Sequence, residues 1–125
     1  MKMTVYVKWL GHASFQLRAE GKVVYIDLKK YGKVVRASEP ADLILVTHSH
    51  ADHFSVDKVK KLRKPGALVI GPKSSAAKVG GRFLTLKPGE EASVDGIRVR
   101  AVEAYNVKRF KPSGKPWHPR GFGVG

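Results

Sequence analysis

A nearly continuous apolar run, ADLILVT at residues 41–47, constrains the fold more than any other stretch of this sequence. The run does not alternate between apolar and polar residues, so it is expected to be a strand buried on both faces of a sheet. Strand-like runs precede it at 4–10, 14–19 and 22–28, and ALVIG follows at 67–71. Because short helices are expected between the later strands, the sequence predicts an α/β chain built on one mixed sheet.

Two short helices are expected in the middle of the chain. Ser55 is a suitable N-cap for the first helix, and Asp57 suits its first turn. Its apolar residues recur at helical spacing: Val56, Val59 and Leu62. Residues 65–66, Pro-Gly, are expected to stop this helix. The second helix is predicted within 72–80 and is ended by glycine.

Antiparallel strands are predicted for the part of the chain that follows, at 82–86, 91–95 and 97–105, with turns between them. In the last of these, Ile97, Val99 and Ala101 should face one way, and Arg98 and Arg100 the other. Near the start of the chain, the aromatic residues Trp9 and Phe15 are expected in the core.

A cluster of histidines, THSHADH at residues 47–53, begins where the apolar run ends. His48 and His50 are two residues apart, so on an extended backbone both imidazoles point to the same side and can reach one metal ion. Asp52 continues this spacing, and its pairing with His53 suggests a second, adjacent metal position. Imidazole and carboxylate ligands suit Zn, Fe or Mn. A bound ion lowers the pKa of its water and supplies a hydroxide nucleophile.

A structural alternative is that one histidine of the cluster lies at the surface and the others cap the following helix. A single histidine would favour that interpretation. The spaced H-x-H-x-D-H pattern at the end of a buried strand favours metal ligands instead, because catalytic ligands gather at such strand ends.

The chain is strongly basic, with 24 Lys and Arg against 10 Asp and Glu and a formal net charge of +14. A field of this sign attracts phosphate groups, nucleic acid or other anionic ligands. Two alternatives are a lysine-rich surface of the kind found in hyperthermophilic proteins and an acidic partner outside this chain. Charge alone does not separate these three possibilities.

The sequence also excludes several kinds of chemistry and predicts a location. It contains no cysteine, which excludes disulfides, thiolate metal ligands and cysteine nucleophiles. No apolar run approaches the roughly 20 residues that a helix needs to cross a bilayer. Lys8 interrupts the apolar start, which therefore does not read as a signal peptide. A cytoplasmic protein without a membrane partner is expected.

The H-x-H-x-D-H pattern after an apolar strand resembles the signature of the metallo-β-lactamase fold. WLGHASF at 9–15 and VVYIDL at 23–28 resemble the first and third strands of one branch, the ascorbate-phosphate-lactonase-like metal-dependent hydrolases. VRAVEAYN at 99–106 and GKPWHPRGFGVG at 114–125 resemble a later segment that carries another histidine ligand. This resemblance implies a hydrolase that uses metal-bound hydroxide on an ester, a lactone or a phosphodiester.

The resemblance also implies a set of metal ligands. His48, His50 and His118 would bind a first ion, while Asp52 and His53 would bind a second. Asp52 is also the predicted catalytic residue. The expected cofactor is zinc, as one or two ions, with Mn or Fe as alternatives.

The resemblance also bears on two further positions, Asp27 and Asn106. Asp27 would be a carboxylate that positions the histidine loop by hydrogen bonds without binding the metal. At the position nearest to the family's later histidine, this chain has Asn106, and His118 follows a few residues on. The assignment to His118 is favoured; in the alternative, His118 is an ordinary loop residue and the first ion lacks a third histidine.

The sequence departs from the family pattern in one large respect. The family fold is an αββα sandwich of two similar halves, and the second half supplies a metal-bridging aspartate and a final histidine. Neither is found here, so residues 1–125 are expected to form a single unit, the N-terminal half, with helices on one face of its sheet. Such a half is expected to show weak or absent turnover.

An isolated half would expose the inner face of its sheet. It is therefore expected to form a homodimer that rebuilds the sandwich, or to pair with a missing C-terminal half. Two alternatives to an enzyme follow. One is a non-catalytic half-domain whose role is assembly, and the other is a basic module that binds nucleic acid or another phosphate-bearing ligand.

Overall fold

The computed structural model describes residues 4–11, 13–28, 39–48, 55–104 and 123–124. Within these residues the strands and helices follow in this order: β1 (Val5–Gly11), β2 (Ser14–Ala19), β3 (Lys22–Ile26), β4 (Ala41–Leu45), α1 (Val56–Leu62), β5 (Arg63–Ile70), α2 (Lys73–Val79), β6 (Phe83–Leu84), β7 (Glu91–Val94), β8 (Ile97–Arg100), β9 (Glu103–Ala104) and β10 (Gly123–Val124). Neither helix in this part of the chain is long and apolar enough to span a bilayer.

One mixed sheet of six strands, β1 to β6 in chain order, forms the frame of the fold. β1, β2 and β3 pair antiparallel, whereas β3, β4, β5 and β6 pair parallel. The predicted α/β chain with a mixed sheet is confirmed. Because parallel strands end at the same edge of a sheet, the residues directly after β3 and β4 are neighbours in space.

Both helices pack on the same face of this sheet. Ser55 caps α1, as predicted, by accepting a hydrogen bond from the backbone N–H of Lys58 at 3.3 Å. Val59 and Leu62 of α1 and Val79 of α2 are buried. They share one core cluster with buried residues of the sheet, among them Leu10, Val23, Tyr25, Ile44 and Val69.

The hairpin β7–β8 covers part of the opposite face. Its turn, Asp95 and Gly96, has φ values of 49° and 81°, which suit a tight two-residue connection. One side of the hairpin joins a second core cluster with the sheet: Val24, Leu43, Ile70, Leu86 and Ala101 are buried, and Ala92, Val94, Ile97 and Val99 are half-buried. Arg98 and Arg100 are exposed on the other side, so the predicted alternation is confirmed.

The prediction that Trp9 lies in the core is wrong, because its side chain is 60% exposed. Val5, Val7 and Trp9 alternate along β1, the outer strand of the sheet, and form what we call the β1 apolar face. Val7 pairs with Leu17, which belongs to the second core cluster, so this face lies on the side of the sheet that carries the hairpin. The hairpin does not bury these three side chains, which are 48%, 63% and 60% exposed.

The first helix ends earlier than Pro65 and Gly66 predict, and β5 begins at Arg63. The Arg63 side chain holds the chain in its extended course by donating hydrogen bonds of 2.8–2.9 Å to three carbonyl oxygens, those of Ala67, Gly80 and Arg82. These long-range contacts are not visible in the local sequence pattern.

Asp42 joins three parallel strands near their amino ends. Its carboxylate accepts hydrogen bonds from the Val23 N–H and the Lys64 ammonium, each at 2.8 Å. Burial acts to raise the pKa of Asp42, but these two donors and the nearby lysine charges outweigh burial and hold that pKa below its usual range. The candidate site lies at the other end of the same strands.

Candidate metal-binding site at the strand ends

The site lies where β3 and β4 end side by side. Ile26 pairs with Leu45 in the parallel ladder, and Asp27 extends the pairing by donating its backbone N–H to the Leu45 carbonyl at 3.0 Å. Asp27 therefore follows β3 at the level where Thr47 and His48 follow β4. Two stretches about 20 residues apart in sequence meet at one edge of the sheet.

Asp27 is held from several directions. It is 3% exposed, and its backbone is in the left-handed region at φ 52°, which aspartate tolerates better than most residues. The Ser14 hydroxyl donates a hydrogen bond to its carbonyl oxygen. Its two carboxylate oxygens accept from Thr47, one from the backbone N–H at 2.8 Å and one from the hydroxyl at 2.6 Å. These contacts fix the direction of the carboxylate.

Thr47 links this carboxylate to the first histidine of the cluster. Its hydroxyl lies 2.9 Å from Nδ1 of His48, whose side chain is only 7% exposed. Histidines that bind metals commonly place their second ring nitrogen on an oxygen that is itself fixed. The geometry of Asp27, Thr47 and His48 therefore fits a metal ligand with its supporting contacts.

The structure describes only part of the predicted site. Asp27 and His48 are brought together through Thr47, a residue that the sequence analysis did not single out. The signal that could have found it is a hydroxyl residue directly before the first histidine, at the end of a buried strand. The other predicted site residues lie outside the described ranges: His50, Asp52, His53 and His118. Accordingly, the described ranges contain no group of three or more potential metal ligands.

An apolar cavity of about 150 Å³ adjoins the strand ends. It lies between the sheet and the β8 segment, and its lining includes Ile26, Leu45, Thr47, Ile70, Val99 and Arg100. Thr47 places one wall of the cavity next to His48. Arg100 is also among the lining residues, but its exposed side chain lies on the outer side of the hairpin, where the guanidinium is 3.9 Å from the Glu91 carboxylate.

A larger cavity, of about 380 Å³, lies at the opposite ends of the parallel strands. Its wall includes Asp42, Lys64 and Arg82, together with residues of the β7–β8 hairpin. The described residues of this lining include no histidine, and Asp42 already accepts two hydrogen bonds. The smaller cavity is therefore the one associated with the candidate metal site.

The mixed sheet, with His48 at the end of β4, can be compared with known protein families. The profile of the family described as "Beta-lactamase superfamily domain" matches residues 6–120, so the chain belongs to this family.

Relatives with similar sequences are named UPF0173 metal-dependent hydrolases. The protein from Methanopyrus kandleri is 30% identical over 117 residues, which covers 87% of this chain and 50% of that protein. The protein from Thermococcus kodakarensis is 32% identical over 116 residues, which covers 74% of this chain and 51% of that protein. The chain thus spans about half the length of the curated relatives it matches.

Solved structures have the same fold. The crystal structure of a protein from Parabacteroides distasonis, named as a metal-dependent hydrolase, superposes with a TM-score of 0.81 at 24% identity, covering 96% of this chain and 53% of that chain. Igni18, a metallo hydrolase from Ignicoccus hospitalis, superposes with a TM-score of 0.65 at 17% identity, covering 98% and 54%. These likenesses support the predicted metallo-β-lactamase fold.

Proposed function

We propose that this chain forms the metal-binding part of a metal-dependent hydrolase. In this proposal His48, His50 and His118 hold one divalent ion, and Asp52 and His53 hold a second. Three protein ligands are enough for a catalytic zinc site that keeps a position open for water or substrate.

One observation carries the proposal: His48 is buried at a strand end with its Nδ1 on the Thr47 hydroxyl, which is anchored to Asp27. Any buried imidazole nitrogen needs a hydrogen-bond partner. A metal ligand is favoured here because this partner is itself anchored to a carboxylate and because His48 opens the H-x-H-x-D-H pattern at a strand end. The names of the relatives, which are metal-dependent hydrolases, support the same conclusion.

The ion and the protein residues have separate tasks. A bound divalent ion supplies Lewis acidity and a water-derived nucleophile at neutral pH. Zinc is the ion we propose, and manganese and iron suit the same imidazole and carboxylate ligands. His48 supplies a neutral imidazole whose direction is fixed by Thr47. We assign Asp52 both to the second ion and to the chemical step.

The proposed substrates are esters, lactones or phosphodiesters that carry a negative charge. The net charge of +14 draws anions toward the protein. The mainly apolar wall of that cavity suits a small hydrocarbon group of the substrate.

Zinc binding and its reversal by a chelator test this proposal. Equilibrium dialysis of the 125-residue chain should find about one tightly bound zinc ion per chain, because the first set of ligands has three histidines and the second only two residues. Hydrolysis of bis(4-nitrophenyl) phosphate or of a simple lactone should be weak, lost with chelator and restored by zinc. A chain that binds no zinc, or hydrolysis that persists in chelator, contradicts the proposal.

A second copy of the chain is the partner we propose for the β1 apolar face. Val5, Val7 and Trp9 expose apolar side chains on one side of an outer strand, and among the described residues this strand pairs only with β2. The relatives contain about as much chain again beyond the matched part. A second copy would supply a similar length of chain and a matching apolar face.

The mass in solution tests this assembly. Light scattering should give about twice the 13.8 kDa of one chain, and the dimer should be more populated at high salt, which screens repulsion between two chains of charge +14. Trp9→Lys should dissociate it. Tyr6→Lys is the matched control, because Tyr6 is 67% exposed on the other side of the same strand. A monomeric wild-type chain, or equal effects of both variants, would rule out this interface.

A further inference from the structure

The Thr47 hydroxyl lies between an acid and an imidazole. It is 2.6 Å from a carboxylate oxygen of Asp27 and 2.9 Å from Nδ1 of His48. The backbone N–H of Thr47 donates to the other oxygen of the same carboxylate at 2.8 Å. Thr47 is thus attached to Asp27 at two points, so its hydroxyl is held in one place.

The number of protons available determines which group donates in the hydrogen bonds of the Thr47 hydroxyl with Asp27 and His48. A threonine hydroxyl has one proton to donate, and a carboxylate can only accept. The proton of Thr47 therefore points to Asp27, and the hydroxyl oxygen is left to accept from His48. In a neutral imidazole only one nitrogen carries a proton, so the proton of His48 lies on Nδ1 and the lone pair on Nε2.

We propose that Thr47 is a positioning residue that fixes the tautomer of His48, so that Nε2 is the nitrogen offered to the metal. This inference rests on the proposed metal-binding function. Thr47 itself does not bind the ion; it acts through His48. Because the hydroxyl is fixed to Asp27, the His48 tautomer is set before any ion binds. Metal binding therefore does not have to include the free-energy cost of changing the tautomer.

Two variants of Thr47 separate the hydroxyl from the shape of the side chain. Thr47→Ser keeps the hydroxyl, whereas Thr47→Val keeps the branched shape and removes the hydroxyl. In Thr47→Val neither Asp27 nor His48 has this partner, so Nδ1 is no longer held in its protonated form.

Nitrogen NMR of the metal-free chain at about pH 8, where an ordinary histidine is neutral, reads the tautomer directly. The wild type and Thr47→Ser should carry the His48 proton on Nδ1, and Thr47→Val should lose that preference. Competition with a chromogenic chelator should then show zinc affinity about 10- to 100-fold weaker in Thr47→Val and about unchanged in Thr47→Ser.

The outcomes distinguish this inference from the proposed function. A wild-type proton on Nε2 overturns the inference, whether or not the variants fold. If the wild type binds zinc and Thr47→Val retains both tautomer and affinity, the inference fails alone. If the wild type binds no zinc, the proposed function fails, but the tautomer of His48 still tests the role of Thr47. A preference for the Nδ1 proton that is lost in Thr47→Val and kept in Thr47→Ser supports that role. A preference that is the same in both variants and the wild type overturns it.

Discussion

His48→Ala should weaken zinc binding by at least about 100-fold. A four-ligand zinc site binds with roughly 10–16 kcal/mol, so one protein ligand accounts for about 3–4 kcal/mol, which corresponds to a factor of about 100–1000. His48 is the proposed ligand whose supporting contacts are described, through Thr47 to Asp27. Competition between the chain and a chelator of known affinity measures the change.

His12→Ala is the control for this experiment. It also removes one of the chain's five histidines, but from outside the predicted ligand set. Its zinc affinity should stay within about threefold of the wild type, which is less than 1 kcal/mol. Equal losses in the two variants would mean that zinc binds to histidines without regard to their place in the fold.

Asp27→Ala should lower the free energy of unfolding by about 3–4 kcal/mol. The substitution removes two hydrogen bonds to a buried carboxylate, each worth about 1.5–3 kcal/mol, of which neighbouring water recovers part. The left-handed backbone at φ 52° adds a cost of about 1 kcal/mol for alanine. Urea denaturation followed by circular dichroism measures the change.

Asp95→Ala separates the backbone cost from the carboxylate contacts. Asp95 has nearly the same backbone angle, φ 49°, but is exposed in the turn of the β7–β8 hairpin. This variant should lose only about 1 kcal/mol. If Asp27→Ala were no more destabilising than Asp95→Ala, the hydrogen bonds that Thr47 donates to the Asp27 carboxylate would contribute nothing to stability.

The positions of most strands and of both helices were predictable because local patterns specify them, but residues 82–86 were expected to form an antiparallel strand, and β6 instead pairs parallel with β5. The apolar run at 41–47 predicted a strand buried on both faces, and β4 is covered by helices on one side and by the hairpin on the other. The Ser55 cap and the spacing of Val59 and Leu62 predicted α1. In each case the preference of a few adjacent residues agrees with the final fold.

Features that depend on distant residues were not predictable. Trp9 is a large aromatic residue of the kind expected in a core, but its burial requires a layer packed over β1, and the hairpin does not cover Trp9. The start of β5 depends on Arg63 contacts to carbonyls as far away as Arg82. A local pattern contains no information about these partners.

In the candidate metal site too, the features set by adjacent residues were predictable and those set by distant residues were not. The spacing of His48 and His50 predicted a metal site from seven adjacent residues. The hydroxyl residue directly before His48 marks Thr47 as a candidate, but its role was not predictable from the local pattern, because it depends on Asp27, 20 residues away in sequence. The roles of His50, Asp52 and His53 stay predictions.

Anomalous diffraction from crystals of the zinc-loaded chain tests whether Asp27 and Thr47 present His48 to a metal ion through Nε2. We expect an anomalous peak about 2.0–2.1 Å from His48 Nε2, with Nδ1 still on the Thr47 hydroxyl. A zinc ion bound through Nδ1, or zinc found only away from His48, would contradict this expectation.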